Sequence, residues 1–480
     1  MSGMPRQTRE SVVVFGLVAA LLVASVASLA LPALQVDDRE ETRDRGDVSD
    51  RVPTPSFDGT ADETSAAATS GQAARPSAAV DCDPDDVPAG VPVSDPEAVT
   101  DENVSVAVID PSGFDVDDPE LTSRVAGARS FDRDDDLTVE NGGDNQHGTV
   151  VARQVSETAP GATLHLANFR TAHDFTRAVE WAIRQDVDVI VAPTVFYAKP
   201  NDGTAPVSRA VSRAAEEGIA VVVPTGNVAA RHWEGSYDGG GAVEFRPNET
   251  RMYVNGEDRR IEAWLWWNRS DGDRRHEFDI VLSRETDDGA RRVAESRDHP
   301  TGPVGTNQVL ADEIRPTNPL SRLLGDGEYF LRIEGPPDGA NRVELVVATH
   351  RLERPTAAGS VMAPATAEHP GVVSVGAARP GRAEPLPRSG RGPTNDARRG
   401  VDVLAPATVT GEYSLTGTSA ATARAGGLAA LVRAQNPTLT PAEVAGVLAE
   451  TADGEAVTEA TGHGTVDRDA ALECARTAGV

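Results

Sequence analysis

Three side chains in this sequence have the types and settings that nucleophilic acyl transfer requires. Asp110 closes the apolar run Val106-Ala107-Val108-Ile109, which reads as a buried strand ending on a carboxylate. His147 opens the stretch Gln146-His147-Gly148-Thr149-Val150-Val151-Ala152, and Ser419 lies in Thr416-Gly417-Thr418-Ser419-Ala420-Ala421. Each of these two stands at the head of a helical pattern. A serine hydroxyl is a weak nucleophile until a base takes its proton. An imidazole can do this near neutrality, and a carboxylate can hold its tautomer and stabilise the imidazolium. Each fragment alone is commonplace. Their order along the chain, Asp then His then Ser with these neighbours, is far more specific, because unrelated triads differ in order. That order, and the lack of a G-x-S-x-G elbow around the serine, disfavour an esterase or lipase on a doubly wound sheet.

The elements around these residues alternate. Val104 to Ile109, Thr163 to Ala167, Val187 to Ala192 and Ile219 to Val223 read as strands, and Phe175 to Arg184 and Val207 to Glu217 as helices. Such alternation predicts crossover units and a parallel sheet covered on both faces, with ligand sites at the carboxyl ends of the strands. The pattern resumes after Arg351 with strands at Val372 to Val375 and Val401 to Leu404. A small-residue helix follows from Ser419 to about Gln435, and the capping box at Thr440-Pro441-Ala442-Glu443 starts another. Between residues 231 and 351 short apolar runs are separated by Gly, Asp, Asn and Pro. They predict an inserted all-β domain, sandwich-like, with a helix-length pattern only near Leu310. The cluster Trp264-Leu265-Trp266-Trp267 is read as core before it is read as a binding platform. The expected organisation is a signal peptide or membrane anchor over 1–36 and a disordered acidic linker over 37–98. A catalytic α/β domain then spans 99–230 and 352–478, interrupted by the β domain at 231–351.

On these motifs the chain resembles the subtilisin-like serine peptidases, or subtilases, over roughly 103–227 and 357–471. The resemblance implies a parallel sheet with helices on both faces and hydrolysis of peptide bonds in a protein or peptide substrate. Ser419 would be the nucleophile, His147 the base and then the acid, Asp110 its orienting partner and Asn227 an oxyanion donor. The closing stretch Gly462-His463-Gly464-Thr465 also resembles the family, but His463 follows the serine and is not read as catalytic. The family binds peptide as an added strand between two edge segments. Here the sequence departs from the family pattern. Pro193-Thr194-Val195-Phe196 replaces a Ser-hydrophobic-Gly edge, so Pro193 cannot donate to a ladder and Val195 crowds the first specificity pocket. Asn168-Phe169-Arg170-Thr171-Ala172 is short and glycine-free where a Gly-rich second edge is expected. Pro111-Ser112-Gly113 follows the aspartate where the family has one residue before glycine, and Ala423 stands where it has proline. The alternative reading is a catalytically idle or weak relative that binds a partner through its β insertion.

Composition narrows the partners. The chain of 480 residues carries 75 acidic against 45 basic side chains, a formal net charge of −30, and one lysine, Lys199. That balance excludes nucleic acid and an anionic membrane surface as natural partners, and it suits solubility in strong brine. Arg6 and Arg9 precede an uncharged apolar stretch over 11–34, long enough to cross a bilayer, so the remainder is expected outside the cytoplasm, secreted or anchored on the outer membrane face. Cys82 and Cys474 flank the folded region. In an oxidising compartment they can pair, and two unpaired thiols are the alternative. No cofactor is required. Structural calcium is compatible with the family but has no assigned ligands, because Asp132, Asp134 and Asp136 begin a calcium loop that Leu137 does not continue. A monomer is expected.

Overall fold

The computed structural model describes residues 80 and 82 and, from 103 to 478, all but 132–138, 140–145, 257, 269–277, 297–303, 313, 315–326, 380 and 411–413. The expected signal or anchor, nearly all of the linker and the Asp132–Asp136 run lie outside the described residues. Among the described residues no helix is long and apolar enough to cross a membrane.

Seven strands build the main sheet: β1 (Ser105–Ile109), β2 (Val125–Phe131), β3 (Thr163–Phe169), β4 (Val189–Val191), β5 (Ala220–Pro224), β15 (Val372–Ala378) and β16 (Val403–Pro406). Their order is β16-β15-β5-β4-β1-β3-β2, and every neighbouring pair is parallel. Parallel strands joined by helices are buried on both faces, which is why these segments read as unbroken apolar runs. The period of two divides each run between two cores. Val106 and Val108 join one cluster with Val189 and Val191, while Ala107, Ile109 and Ile190 join the other. Each fully buried valine or isoleucine in these runs contributes about 1.5–3 kcal/mol of transfer energy.

Among the described residues six helices cover the sheet: α1 (His147–Thr158), α2 (Ala172–Arg184), α3 (Pro206–Glu216), α4 (Thr418–Gln435), α5 (Pro441–Glu450) and α6 (Arg468–Thr477). Helices α1, α4, α5 and α6 share the first core, α2 and α3 the second. Helix α4 lies close upon the sheet because its residues are small. A Cβ on Gly426 would stand 2.3 Å from Val191, and one on Gly427 would stand 2.5 Å from Thr158 of α1. The α5 capping box expected at Thr440 and Glu443 is present, with Pro441 at the first helical turn.

Between β5 and β15 the chain forms nine further strands: β6 (His232–Tyr237), β7 (Met252–Asn255), β8 (Ile261–Asn268), β9 (Asp279–Thr286), β10 (Gly289–Glu295), β11 (Val304–Ala311), β12 (Tyr329–Glu334), β13 (Asn341–Val347) and β14 (Arg351–Leu352). They make two antiparallel sheets, ordered β10-β9-β12-β7-β14 and β11-β8-β13-β6. Both contribute to one apolar core that includes Trp267, Phe278, Leu282 and Leu345. Trp266 and Trp267 are buried. The helical pattern near Leu310 proves to be strand β11, paired antiparallel with β8 along its length. A short ribbon of β17 (Thr408–Val409) and β18 (Leu415–Thr416) leads into α4.

Candidate active site

Strand register sets the floor of the site. Val108 pairs with Val191 of β4, and Val191 with Val222 of β5, so three parallel strands end nearly level. Asp110 and Pro193 each lie two residues beyond the Val108–Val191 pair. Asn227 lies five residues beyond Val222. Asp110 continues the ladder by donating its N–H to Ala167 at 3.0 Å, and its side chain is fully buried.

The two Asp110 oxygens have separate work. Oδ2 lies 2.6 Å from His147 Nδ1. Oδ1 accepts from the Ser112 N–H at 2.9 Å and the Ser112 hydroxyl at 2.6 Å. The Ser112 oxygen in turn accepts the Gly148 N–H at 2.8 Å, which ties the aspartate loop to the first turn of α1. Glycine is required at 148, since a Cβ there would stand 2.3 Å from the Gly113 carbonyl oxygen. With a carboxylate against Nδ1, that nitrogen carries the proton, leaving Nε2 as the basic atom. Burial alone pulls the imidazole down. The Asp110 charge and hydrogen bond together outweigh it, and the net shift of His147 is upward from 6.5.

Ser419 is the second residue of α4, where backbone N–H groups have no intrahelical partner and the helix dipole is positive. Gly417 precedes it at φ 114°, a conformation open to glycine, and a Cβ there would collide with Asn227 Oδ1 at 2.5 Å. That oxygen accepts the Thr418 N–H at 3.1 Å, which leaves the NH₂ end of the carboxamide as a donor next to the start of α4. The Ser419 hydroxyl donates to the Pro193 carbonyl at 3.2 Å. Proline at 193 is therefore compatible with the site, because its carbonyl is what faces Ser419.

The two segments expected to be substrate edges are tied into the fold. Phe196 donates its N–H to the Ala363 carbonyl at 2.8 Å and is buried against Phe169 and Phe175, with ring centroids 6.0 and 5.1 Å away. Val195 and Met362 converge on Gly226, where a Cβ would meet them at 3.5 and 3.4 Å. Met362 is itself buried with Val228 and with Val346 from the inserted sheets. The second edge is replaced by a helix start. Thr171 and Asp174 form a capping box that begins α2 directly after β3.

Sequence reasoning named Asp110, His147, Asn227 and Ser419, and the structure gathers them at one end of the sheet. It passed over Ser112, although a serine two residues beyond a strand-end aspartate was a readable signal for a hydroxyl folding back on the carboxylate. His463 lies elsewhere, in a turn whose N–H donates to the Asp402 carbonyl. Cys82 and Cys474 are joined as a disulfide, with Cα atoms 4.7 Å apart. Among the described residues no group of three or more His, Cys, Asp or Glu side chains is arranged to hold a metal ion.

A family model described as the subtilase family matches residues 101–251 and 346–464, more than half of the chain, and leaves most of the inserted strands unmatched. No curated protein sequence matches. Among solved structures, the Clostridium perfringens CspB protease superposes with a TM-score of 0.54 at 15% identity, covering 78% of this chain and 93% of its own. A protease of Pseudoalteromonas arctica matches with a TM-score of 0.44 at 15% identity, covering 79% and 92%. A cold-adapted subtilisin-like serine proteinase matches at 0.41 and 15%, covering 76% and 89%.

Proposed function

Because the chain belongs to the subtilase family, we propose that it is an exported serine endopeptidase working through Asp110, His147 and Ser419. In this reading His147 Nε2 takes the Ser419 proton as Oγ attacks the scissile carbonyl carbon. Asp110, fully buried and 2.6 Å from Nδ1, stabilises the imidazolium. The Asn227 amide and the Ser419 N–H hold the developing oxyanion, each donor worth about 3–4 kcal/mol. The imidazolium returns its proton to the leaving amine, and water then hydrolyses the acyl-enzyme by the same route. No step calls for a metal or cofactor. The observation that supports this most is the coupling of the buried Asp110–His147 bond to an asparagine fastened beside the nucleophile through Thr418.

Export rests on the uncharged apolar stretch 11–34 behind Arg6 and Arg9, which would either be cleaved or remain as an outer-face membrane anchor. The working form is a monomer in strong brine, where salt screens the net charge of −30. The test is covalent labelling of the purified chain by a fluorophosphonate in high salt. Labelling should map to Ser419 and vanish in Ser419→Ala. A folded chain that neither labels nor cleaves unfolded casein would refute the reading.

One observation favours a second reading, a relative that binds without turning over. Val195 and Met362 occupy the space over Gly226 in which a large side chain of the acyl residue would sit. That reading predicts partner binding that survives Ser419→Ala and is lost when 231–351 are deleted.

A further inference from the structure

Three arginines gather where β14 meets the segments after β5 and β15, and one of them reaches the strand that leads into Ser419. Arg388 follows β15, and its carbonyl accepts the Ala229 N–H at 3.1 Å, two residues after Asn227. Its guanidinium donates to the Thr416 hydroxyl at 2.9 Å, three residues before Ser419. Arg231 lies on the same segment as Asn227, and its side chain bonds the Ala348 carbonyl. Leu352 donates its N–H to the Ala230 carbonyl at 3.1 Å, which brings Arg351 to the same place. Several buried or half-buried arginines elsewhere are matched with carboxylates: Arg398 with Asp396 at 2.7 Å, Arg153 with Asp118, Arg354 with Glu249. Among the described residues, no carboxylate lies within ion-pairing distance of Arg231, Arg351 or Arg388.

Electrostatics agree. Burial, then the neighbouring Arg231 and Arg351, pulls Arg388 below the ordinary guanidinium value. Arg231 is depressed by burial and by Arg351, with the nearby Tyr197 and Asp258 opposing. The Tyr197 phenol is pushed up to about 12 by burial and so supplies no charge near neutrality. Asp258 offsets the repulsion at Arg231, but Arg388 feels only its two cationic neighbours, a local positive field that an anionic group would relieve.

Position says which part of a substrate reaches it. Pro193, Asn227 and Arg388 follow β4, β5 and β15, which are consecutive in the sheet. An acyl segment laid along 193–196 meets Ser419 from the Pro193 side. The leaving segment then continues past Asn227 and the exposed Thr416, where Arg388 stands.

We propose that Arg388, backed by Arg231 and Arg351, is an anion subsite for the leaving-group side of the scissile bond, selecting peptides with an acidic side chain at the second residue after that bond. This rests on the serine-peptidase reading and deepens it. The subsite is tested in isolation by acyl transfer. The full chain is acylated with a p-nitrophenyl ester of N-acetylalanine and offered the dipeptide amides Gly-Asp-NH₂, Gly-Asn-NH₂ and Gly-Lys-NH₂. The amine forms a C–N bond at the acyl carbon as the ester bond to Ser419 Oγ breaks, and the amine proton passes through His147 to Oγ. The ratio of aminolysis to hydrolysis reports the leaving-side subsite alone, whatever the acylation rate.

We expect Gly-Asp-NH₂ to be favoured over Gly-Asn-NH₂ by about tenfold, the discrimination of one charge-assisted pair. Arg388→Gln should bring that ratio near one, and Arg388→Glu should turn the preference toward Gly-Lys-NH₂. If acyl-enzyme forms but the acidic amide gains nothing, or its advantage survives in Arg388→Glu, the subsite is overturned and the peptidase reading stands. If no acyl-enzyme forms at Ser419, the peptidase reading itself falls and takes the subsite with it.

Discussion

Replacing Ser112 with alanine should damage catalysis and stability together, although Ser112 touches no substrate. Its hydroxyl donates to Asp110 Oδ1 at 2.6 Å and accepts the Gly148 N–H at 2.8 Å. The first is a hydrogen bond to a buried carboxylate, worth about 1.5–3 kcal/mol. The second leaves the N–H of a buried glycine without its acceptor, a cost of about 1–3 kcal/mol. The Ser112 N–H still holds Oδ1 at 2.9 Å, so the expected loss of stability is the lower part of the sum, about 2.5–4 kcal/mol. If half of that appears as a looser Asp110 against His147, the barrier rises by about 1–2 kcal/mol and kcat falls about 5- to 30-fold. KM should hardly move, since no binding contact is lost. The assay is ester turnover normalised by fluorophosphonate titration of Ser419, with a thermal melt alongside. Ser112→Thr keeps the hydroxyl and should recover most of both losses. Ser112→Ala with kcat within twofold of wild type and an unmoved melting temperature would refute the latch.

Three further outcomes follow from the same geometry. Activity should rise with pH as His147 loses its proton, with a midpoint above 6.5. In Asp110→Asn only burial remains, so the midpoint should fall below 6.5 while kcat drops about 10⁴-fold, as read from a pH–rate profile. The protonated His147–Asp110 pair also stabilises the fold. That contribution is complete below pH 6.5 and is lost as pH rises through the raised folded value, so the melting temperature should decline across that window in wild type. Val195→Gly should open the space over Gly226 and increase kcat/KM at least tenfold for a large aromatic acyl residue, measured on paired ester substrates. Cys82→Ser together with Cys474→Ser should cost about 2–5 kcal/mol in calorimetry, and an unchanged melting curve would show that the cross-link carries no stability.

What the sequence disclosed and what it hid divide along physical lines. Asp110, His147 and Ser419 were legible as candidates because each motif couples a chemically capable residue to the local structure that displays it: an apolar run ending on a carboxylate, or small residues at a helix start. The central strands were legible for the same reason. The edge strand β2, Val-Ala-Gly-Ala-Arg-Ser-Phe, was not, because one side faces solvent and small residues blur its period. Leu310 misled because a short run of mixed polarity fits either period, and only pairing with β8 decides it. Val195 could be read as crowding a pocket. Its partner Met362 could not, since nothing local links residues so far apart in sequence. The convergence of Arg231, Arg351 and Arg388 was hidden likewise, being a product of where β14 and β15 return beside the segment after β5.

The sheet's topology also sets an order in time. Strand β5 finds its neighbour β15 only after the whole inserted domain has emerged, and Ser419 follows later still. A chain made from its N-terminus therefore carries Asp110 and His147 long before Ser419. During that interval the proposed triad is incomplete, and the edge of β5 is uncovered. Truncation after residue 370 would reproduce this stage, and hydrogen exchange there should find Val221 and Thr225, whose N–H groups bond the Gly371 and Val375 carbonyls, unprotected. Exchange as slow as in the full chain would show that the two halves of the sheet mature independently.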